Sequence, residues 1–259
     1  MPDEIFRKLS ELDEVEAIAL GGSRAGKFYD EKSDYDVYVY VTQQIDENVR
    51  RNILSRYCSY MEIGNDFWER EDNCVLNSGT DIDILYRDLD DFCKGVENVV
   101  VNGQAANSYT TCMWHNLLNC KIIFDRCGKL KAAQKRFDVP YPKKLKTAII
   151  DRQLKLLDEA LPAYKTQIRK AVSRKDYVSV NHRITEFLAS YFDLIFALNE
   201  QTHPGEKRLI TLCKNNCKIL PQNFEENLSA LFSHMFCDDT KLLTDVDTII
   251  ANVKQIITR

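Results

Sequence analysis

The sequence predicts an α/β (α+β) domain with a mixed, twisted sheet over residues 1–140, followed by an all-α helical bundle over residues 141–259. Eight of the nine glycines fall at or before residue 128, which concentrates turns in the first half. That half carries period-two apolar alternation, whereas the second repeats apolar residues at helical spacing. Pro140 and Pro142, in "DVPYPKK", sit where the pattern changes and mark the boundary.

The elements follow in order. Residues 3–13 place Ile5, Phe6, Leu9 and Leu12 on one side of a short amphipathic helix. "VEAIAL" (15–20) is a buried strand, and "DYDVYVYV" (34–41) is a Val- and Tyr-rich alternating one. Residues 46–60 are expected to be helical. "NCVLNSGTDIDILYR" (73–87) is a hairpin around Asn77-Ser78-Gly79. "LDDFCKGVENVV" and "SYTTCMWHNLLN" are helical, and "KIIFD" (121–125) is an edge strand. In the second half, Ile150, Leu154, Leu157 and Leu161 share one helical face; Ile184, Phe187, Leu188, Tyr191, Ile195 and Leu198 share another. Further helices are expected over 206–217, 223–236 and 240–257, completing a bundle.

Composition narrows the function classes. No apolar run approaches the roughly 18 residues of a membrane span, so no membrane partner is expected. The acidic N-terminus lacks the layout of a signal peptide. Nine scattered cysteines without a CxxC read as reduced thiols of a cytoplasmic protein. Cys213 and Cys217 share a helix face but lack the two further ligands a zinc site needs. Residues 1–140 hold 25 acids against 17 bases and residues 141–259 hold 14 against 18, for a net charge of -4. This balance argues against a nucleic-acid partner.

The chemistry concentrates in "ALGGSRAGKFYDEKSDYDVYVYV", residues 19–41. Asp34 and Asp36 are i and i+2 on a strand, so both side chains face the same way. Two like charges in an apolar run call for neutralisation, and a divalent cation supplies it. Gly21 and Gly22 allow close approach to a phosphate, and Ser23 suits the N-cap of a following helix. A second acidic strand, "TDIDILYR", offers Asp81 and Asp83, again on one face. Alternation does not choose between them; Asp83, directly followed by "ILY", is favoured.

A Gly-Gly-Ser, about ten residues, an Asp-x-Asp and a later strand carboxylate together resemble the polymerase-β-like nucleotidyltransferase superfamily. "LYRDLDD" and the helical C-terminal half resemble its bacterial branch near the lincosamide and aminoglycoside nucleotidyltransferases. The resemblance covers residues 15–41 and 80–91 most closely. It implies that Gly22 and Ser23 hold the β- and γ-phosphates of a nucleoside triphosphate, and that Asp34 and Asp36 ligate two Mg2+ ions. It also implies that Asp83 joins one metal and activates the acceptor hydroxyl. The expected reaction moves a nucleoside monophosphate, AMP from ATP, to a hydroxyl of a small-molecule acceptor and releases pyrophosphate. The alternatives are AMP transfer to a protein in a toxin–antitoxin or regulatory system, and a non-catalytic nucleotide-binding module.

Other polar residues carry a plainer reading beside a functional one. Arg24 and Lys27 follow the glycine turn and either touch phosphates or lie solvated. Lys207 and Arg208 follow Pro204-Gly205 and are surface residues or phosphate contacts. Arg183, Glu186, Ser190 and Asp193 form a stripe that reads as a solvated helix face, with Glu186 a second base candidate. His115 reads as a packed, hydrogen-bonded histidine, and Tyr35, Tyr38 and Tyr40 as strand packing.

Overall fold

The computed structural model describes residues 2–25 and 33–257, the side chain of Ser23 excepted. Lys27 falls outside the described residues. The first elements are α1 (Pro2–Ser10), β1 (Val15–Leu20), a helical turn α2 (Gly22–Ala25), β2 (Tyr35–Val41), α3 (Glu47–Leu54), β3 (Cys58–Asn65), β4 (Glu71–Leu76) and β5 (Asp81–Arg87). There follow α4 (Leu89–Val100), α5 (Cys112–Asn119), β6 (Lys121–Asp125) and α6 (Lys129–Phe137). The chain divides into two compact units, residues 1–97 with 116–139 and residues 98–115 with 140–259. Residues 98–115 thus belong with the second unit rather than with the sequence flanking them.

The first unit is built on one mixed sheet of order β3-β4-β5-β2-β1-β6. β2 and β5 pair in parallel and the remaining neighbours pair antiparallel. Pleating sends alternate residues to opposite faces. One face turns Ile18, Leu20, Val37, Val39, Ile82 and Ile84 inward, and they join Ile5, Phe6 and Leu9 of α1 and Leu54 of α3 in one buried cluster. Each such side chain contributes about 1.5–3 kcal/mol of burial free energy. The β4–β5 hairpin closes where expected: Leu76 N donates to Thr80 O at 2.8 Å, and Gly79 takes the positive φ of 84° that the turn needs.

The expected helix over 46–60 is shorter. It ends at Leu54, and residues 58–65 form β3 instead. A buried ion pair reinforces that side of the sheet. Arg50 of α3, whose side chain is 2 % exposed, bonds Asp72 of β4, which is fully buried. Asp72 also accepts from Tyr86 Oη at 3.0 Å and from Gly64 N at 2.9 Å. Breaking a buried pair from one side strands the other charge. Asp72→Ala is expected to lower unfolding free energy by about 3–5 kcal/mol, measured by urea denaturation of the whole chain.

The second unit contains α7 (Lys143–Leu154) with a π-helical turn (Lys155–Glu159), α8 (Tyr164–Ser173), α9 (Tyr177–Leu198), α10 (Leu209–Asn216), α11 (Phe224–His234) and α12 (Asp239–Ile257). The α7 face differs from the expected one. Leu145, Ile149, Gln153 and Leu157 are buried, while Leu161 is 93 % exposed. Leu154 packs half-buried against the same core, and the helix stops at Glu159, ahead of Pro162, which leaves Leu161 outside it. α9 is the axis of the core: it buries every residue from 190 to 198.

The polar stripe on α9 is solvated only at its start. Arg183 and Glu186 are exposed, whereas Ser190 and Asp193 are buried. Asp193 accepts from Thr110 N at 3.0 Å, Thr110 Oγ1 at 2.7 Å and Gln153 Nε2 at 2.8 Å. Ser190 Oγ donates to Asn107 O at 2.9 Å. These bonds hold residues 106–111 within the second unit and explain why a glutamine occupies a core position of α7.

Burial pushes the Asp193 carboxyl from its ordinary 3.8 up to about 6, with its hydrogen-bond donors opposing. A carboxyl raised in the folded state stabilises fully below its unfolded value and loses that contribution as pH rises through the folded one. Relative to Asp193→Asn, the wild type should therefore lose up to about 3 kcal/mol of stability between pH 4 and pH 7. Denaturant midpoints of both proteins across that range measure it.

Candidate active site

The first unit's second sheet face is polar where the strands begin. Asp36 on β2 stands directly across from Asp83 on β5 in the parallel register, so both point to the same face. Asp34 precedes β2 by one residue and lies two before Asp36. Carboxylate oxygens of Asp34, Asp36 and Asp83 all lie within 4.8 Å of one another, and all three residues are half-buried. Among the described residues they form the one group of three or more potential cation ligands. Asp81 shares the face of Asp83 but is exposed, pairs with Val75 and is outside this group.

The glycine turn is shaped first by this carboxylate face. Gly22 has φ +55°, and a Cβ there would sit 1.7 Å from Asp36 Oδ2. A Cβ on Gly21 would sit 2.2 Å from the Tyr38 ring. Gly21 N donates to Asp36 O at 2.7 Å, which pins the turn to β2. Both glycines are thus required by close approach within the chain, whatever else approaches from outside. Gly22→Ala is expected to cost at least about 1 kcal/mol in a urea titration, because the methyl group meets both an unfavourable φ and a carboxylate.

Arg24 is placed differently from a bare surface cation. Its Nε donates to Ser33 O at 2.7 Å and Asp34 O at 3.1 Å, and its guanidinium lies 3.8 Å from the Tyr35 ring centroid. It therefore holds the backbone that carries Asp34.

Tyr38 and Tyr40 pack as strand residues. Tyr38 Oη accepts from Asn116 Nδ2 at 2.7 Å, and Tyr40 lies 5.6 Å from Phe92. Arg87, over Tyr38, makes two 2.7 Å bonds to Glu69.

One neighbour escaped sequence reasoning. Asn73, across β4 from Asp83, donates from Nδ2 to Asp83 Oδ1 at 2.8 Å. Counting pairs back from the Asn77-Ser78-Gly79 turn would have found it: the hairpin register pairs 75 with 81 and 73 with 83.

In the second unit, Glu186 accepts from Tyr164 Oη at 3.3 Å. Lys207 is exposed, and Arg208 caps α10 with φ 60°. His115 packs as expected, with Nδ1 2.7 Å from Thr202 Oγ1, and burial holds its pKa below the ordinary value. His203 is fully buried against Tyr109 and Phe196, and burial lowers its pKa to about 4. All nine cysteines are free thiols. No helix among the described residues is long and apolar enough to cross a membrane.

A family model described as a domain of unknown function (DUF4037) matches residues 109–209. That span holds Thr110, Gln153, Asp193 and His203 but none of the three clustered carboxylates. No curated protein matches the chain. Among solved structures, similarity is found to a nucleotidyltransferase-like protein from Exiguobacterium sibiricum, with TM-score 0.43 and 11 % identity over 98 % of this chain and 72 % of that one. It is found also to an aminoglycoside 6-adenyltransferase from Bacillus subtilis, with TM-score 0.30 and 12 % identity over 100 % of this chain and 90 % of that one. At these scores the likeness assigns no activity to this chain.

Proposed function

We propose that the chain is a Mg2+-dependent nucleotidyltransferase that moves AMP from ATP to a hydroxyl of a small-molecule acceptor. The observation that carries this reading is the cluster of Asp34, Asp36 and Asp83 oxygens within 4.8 Å of one another, beside a glycine turn. Three hard oxygen donors so close together repel unless a cation joins them, and they suit magnesium. Bound there, divalent cations would neutralise the phosphates and stabilise the attacking and leaving oxygens.

In this reading Asp34, Asp36 and Asp83 are the metal ligands. Gly22, Ser23 and Arg24 serve the nucleotide, Gly22 and Ser23 at the β- and γ-phosphates. Asp83 takes the proton of the acceptor hydroxyl as its oxygen bonds to the α-phosphorus, and the bond from that phosphorus to the β-phosphate bridge breaks to release pyrophosphate. Positioning and charge neutralisation supply most of the acceleration. The catalytic domain lies within residues 1–140, with residues 98–115 belonging instead to the helical domain of 141–259, and the protein acts in the cytoplasm.

The test is pyrophosphate release with ATP, Mg2+ and a panel of hydroxyl-bearing small molecules. Activity should require the cation and fall by at least about two orders of magnitude in Asp36→Asn and Asp83→Asn. Equal activity in wild type and both variants would sink the proposal. Mass spectrometry for a protein-borne AMP adduct, without small-molecule turnover, would replace the small-molecule acceptor with a protein.

A further inference from the structure

Asp83 is held from outside its own strand. Beyond the Asn73 bond, Asn73 Oδ1 accepts from Asn65 Nδ2 at 2.6 Å, and the same nitrogen donates to Glu62 Oε2 at 3.1 Å. Tyr60 Oη donates to Glu62 Oε1 at 2.8 Å. Glu62 on β3 is directly across from Asn73 on β4, which is across from Asp83 on β5, which is across from Asp36 on β2. One register line across four strands therefore runs from the sheet edge to the carboxylate cluster.

The chemistry at the two ends gives this line a direction. An ionised carboxylate only accepts hydrogen bonds, whereas an amide presents an accepting and a donating side. Glu62, itself exposed, accepts from the NH2 of Asn65, and the second hydrogen of that NH2 meets the oxygen of Asn73. Asn73 is thereby obliged to turn its own NH2 to Asp83, which also only accepts. Neither amide can flip without setting acceptor against acceptor or donor against donor.

We propose that Asn73 is a positioning residue for Asp83, fixing the plane and rotamer of its carboxylate before a cation arrives. Asn65 and Glu62 act one step behind, by fixing the amide of Asn73. The line also works against repulsion. Three clustered carboxylates tend to splay apart, and a donor locked on Oδ1 keeps Asp83 in the cluster. The inference rests on the cation-site reading of Asp34, Asp36 and Asp83 made above. Hydrogen-bond partners of metal ligands typically carry a tenfold or larger share of cation affinity.

The experiment is a Mn2+ titration of the full chain by electron paramagnetic resonance, with melting temperatures alongside. It compares wild type, Asp36→Asn, Asn73→Leu and Asn65→Ala. Asp36→Asn should abolish binding. Asn73→Leu, similar in volume but without a donor, should bind about tenfold more weakly. Asn65→Ala, which leaves the NH2 of Asn73 present but free to turn, should bind about threefold more weakly. In pyrophosphate release, raising Mg2+ should restore the rate of Asn73→Leu but not that of Asp36→Asn. A folded Asn73→Leu that binds Mn2+ within twofold of wild type, while Asp36→Asn does not bind, overturns the positioning role and leaves the cation site standing. If Asn73→Leu fails to fold, unchanged binding by Asn65→Ala overturns it instead. Absence of binding by wild type overturns the cation site, and the role of Asn73 falls with it.

Discussion

The parallel pairing of β2 with β5 is the constraint on which the rest of the site depends. Its register sets Asp36 beside Asp83, and like charges facing each other across neighbouring strands weaken a sheet. The surroundings accommodate that pair with local devices. Gly22 leaves out the side chain that would strike Asp36. Arg24 ties down the backbone ahead of β2. Asn73 spends its donor on Asp83. The opposite face of the same strands is conventional, with aliphatic residues packed on α1. One sheet thus keeps its cohesion on one side and its concentrated charge on the other, which a period of two along the chain makes possible.

What could be read from the sequence was local. Gly21-Gly22, the Asp-x-Asp pairs and the Asn77-Ser78-Gly79 turn act over a few residues, so their spacing alone locates the strands and the face. β3 was hidden because it is an edge strand whose exposed face carries Tyr60 and Glu62, and two irregularities break its pairing with β4. A helical reading that starts at Asp46, the N-cap of α3, has no local signal to end it before Cys58. Arg24 was legible as a cation near the turn, but its acceptors are main-chain oxygens nine and ten residues ahead. Asp83 rather than Asp81 lies in the oxygen cluster, and only the register with β2 tells the two apart.

Asp193 shows the same limit in the helical half. At helical spacing from Arg183 and Glu186 it reads as one more solvated carboxylate. Its donors, Thr110 and Gln153, lie 83 and 40 residues away in sequence. Three hydrogen bonds offset the cost of taking a carboxyl out of water. They tie a stretch of irregular chain to the most buried helix of the unit, within the span that the family model matches.

The way the chain visits its two units has a consequence for how it is made. It runs through the first to residue 97, the second to 115, the first again to 139, and the second to the end. β1 therefore waits for β6, about a hundred residues later, before its outer edge is paired. During synthesis from the N-terminus that edge stays open while the segment destined for the bundle emerges. Contacts of such long sequence separation slow folding and leave strand edges exposed in the meantime. No single cut in the chain separates the units, so a fragment ending at residue 97 would carry the three carboxylates on a sheet lacking one of its border strands.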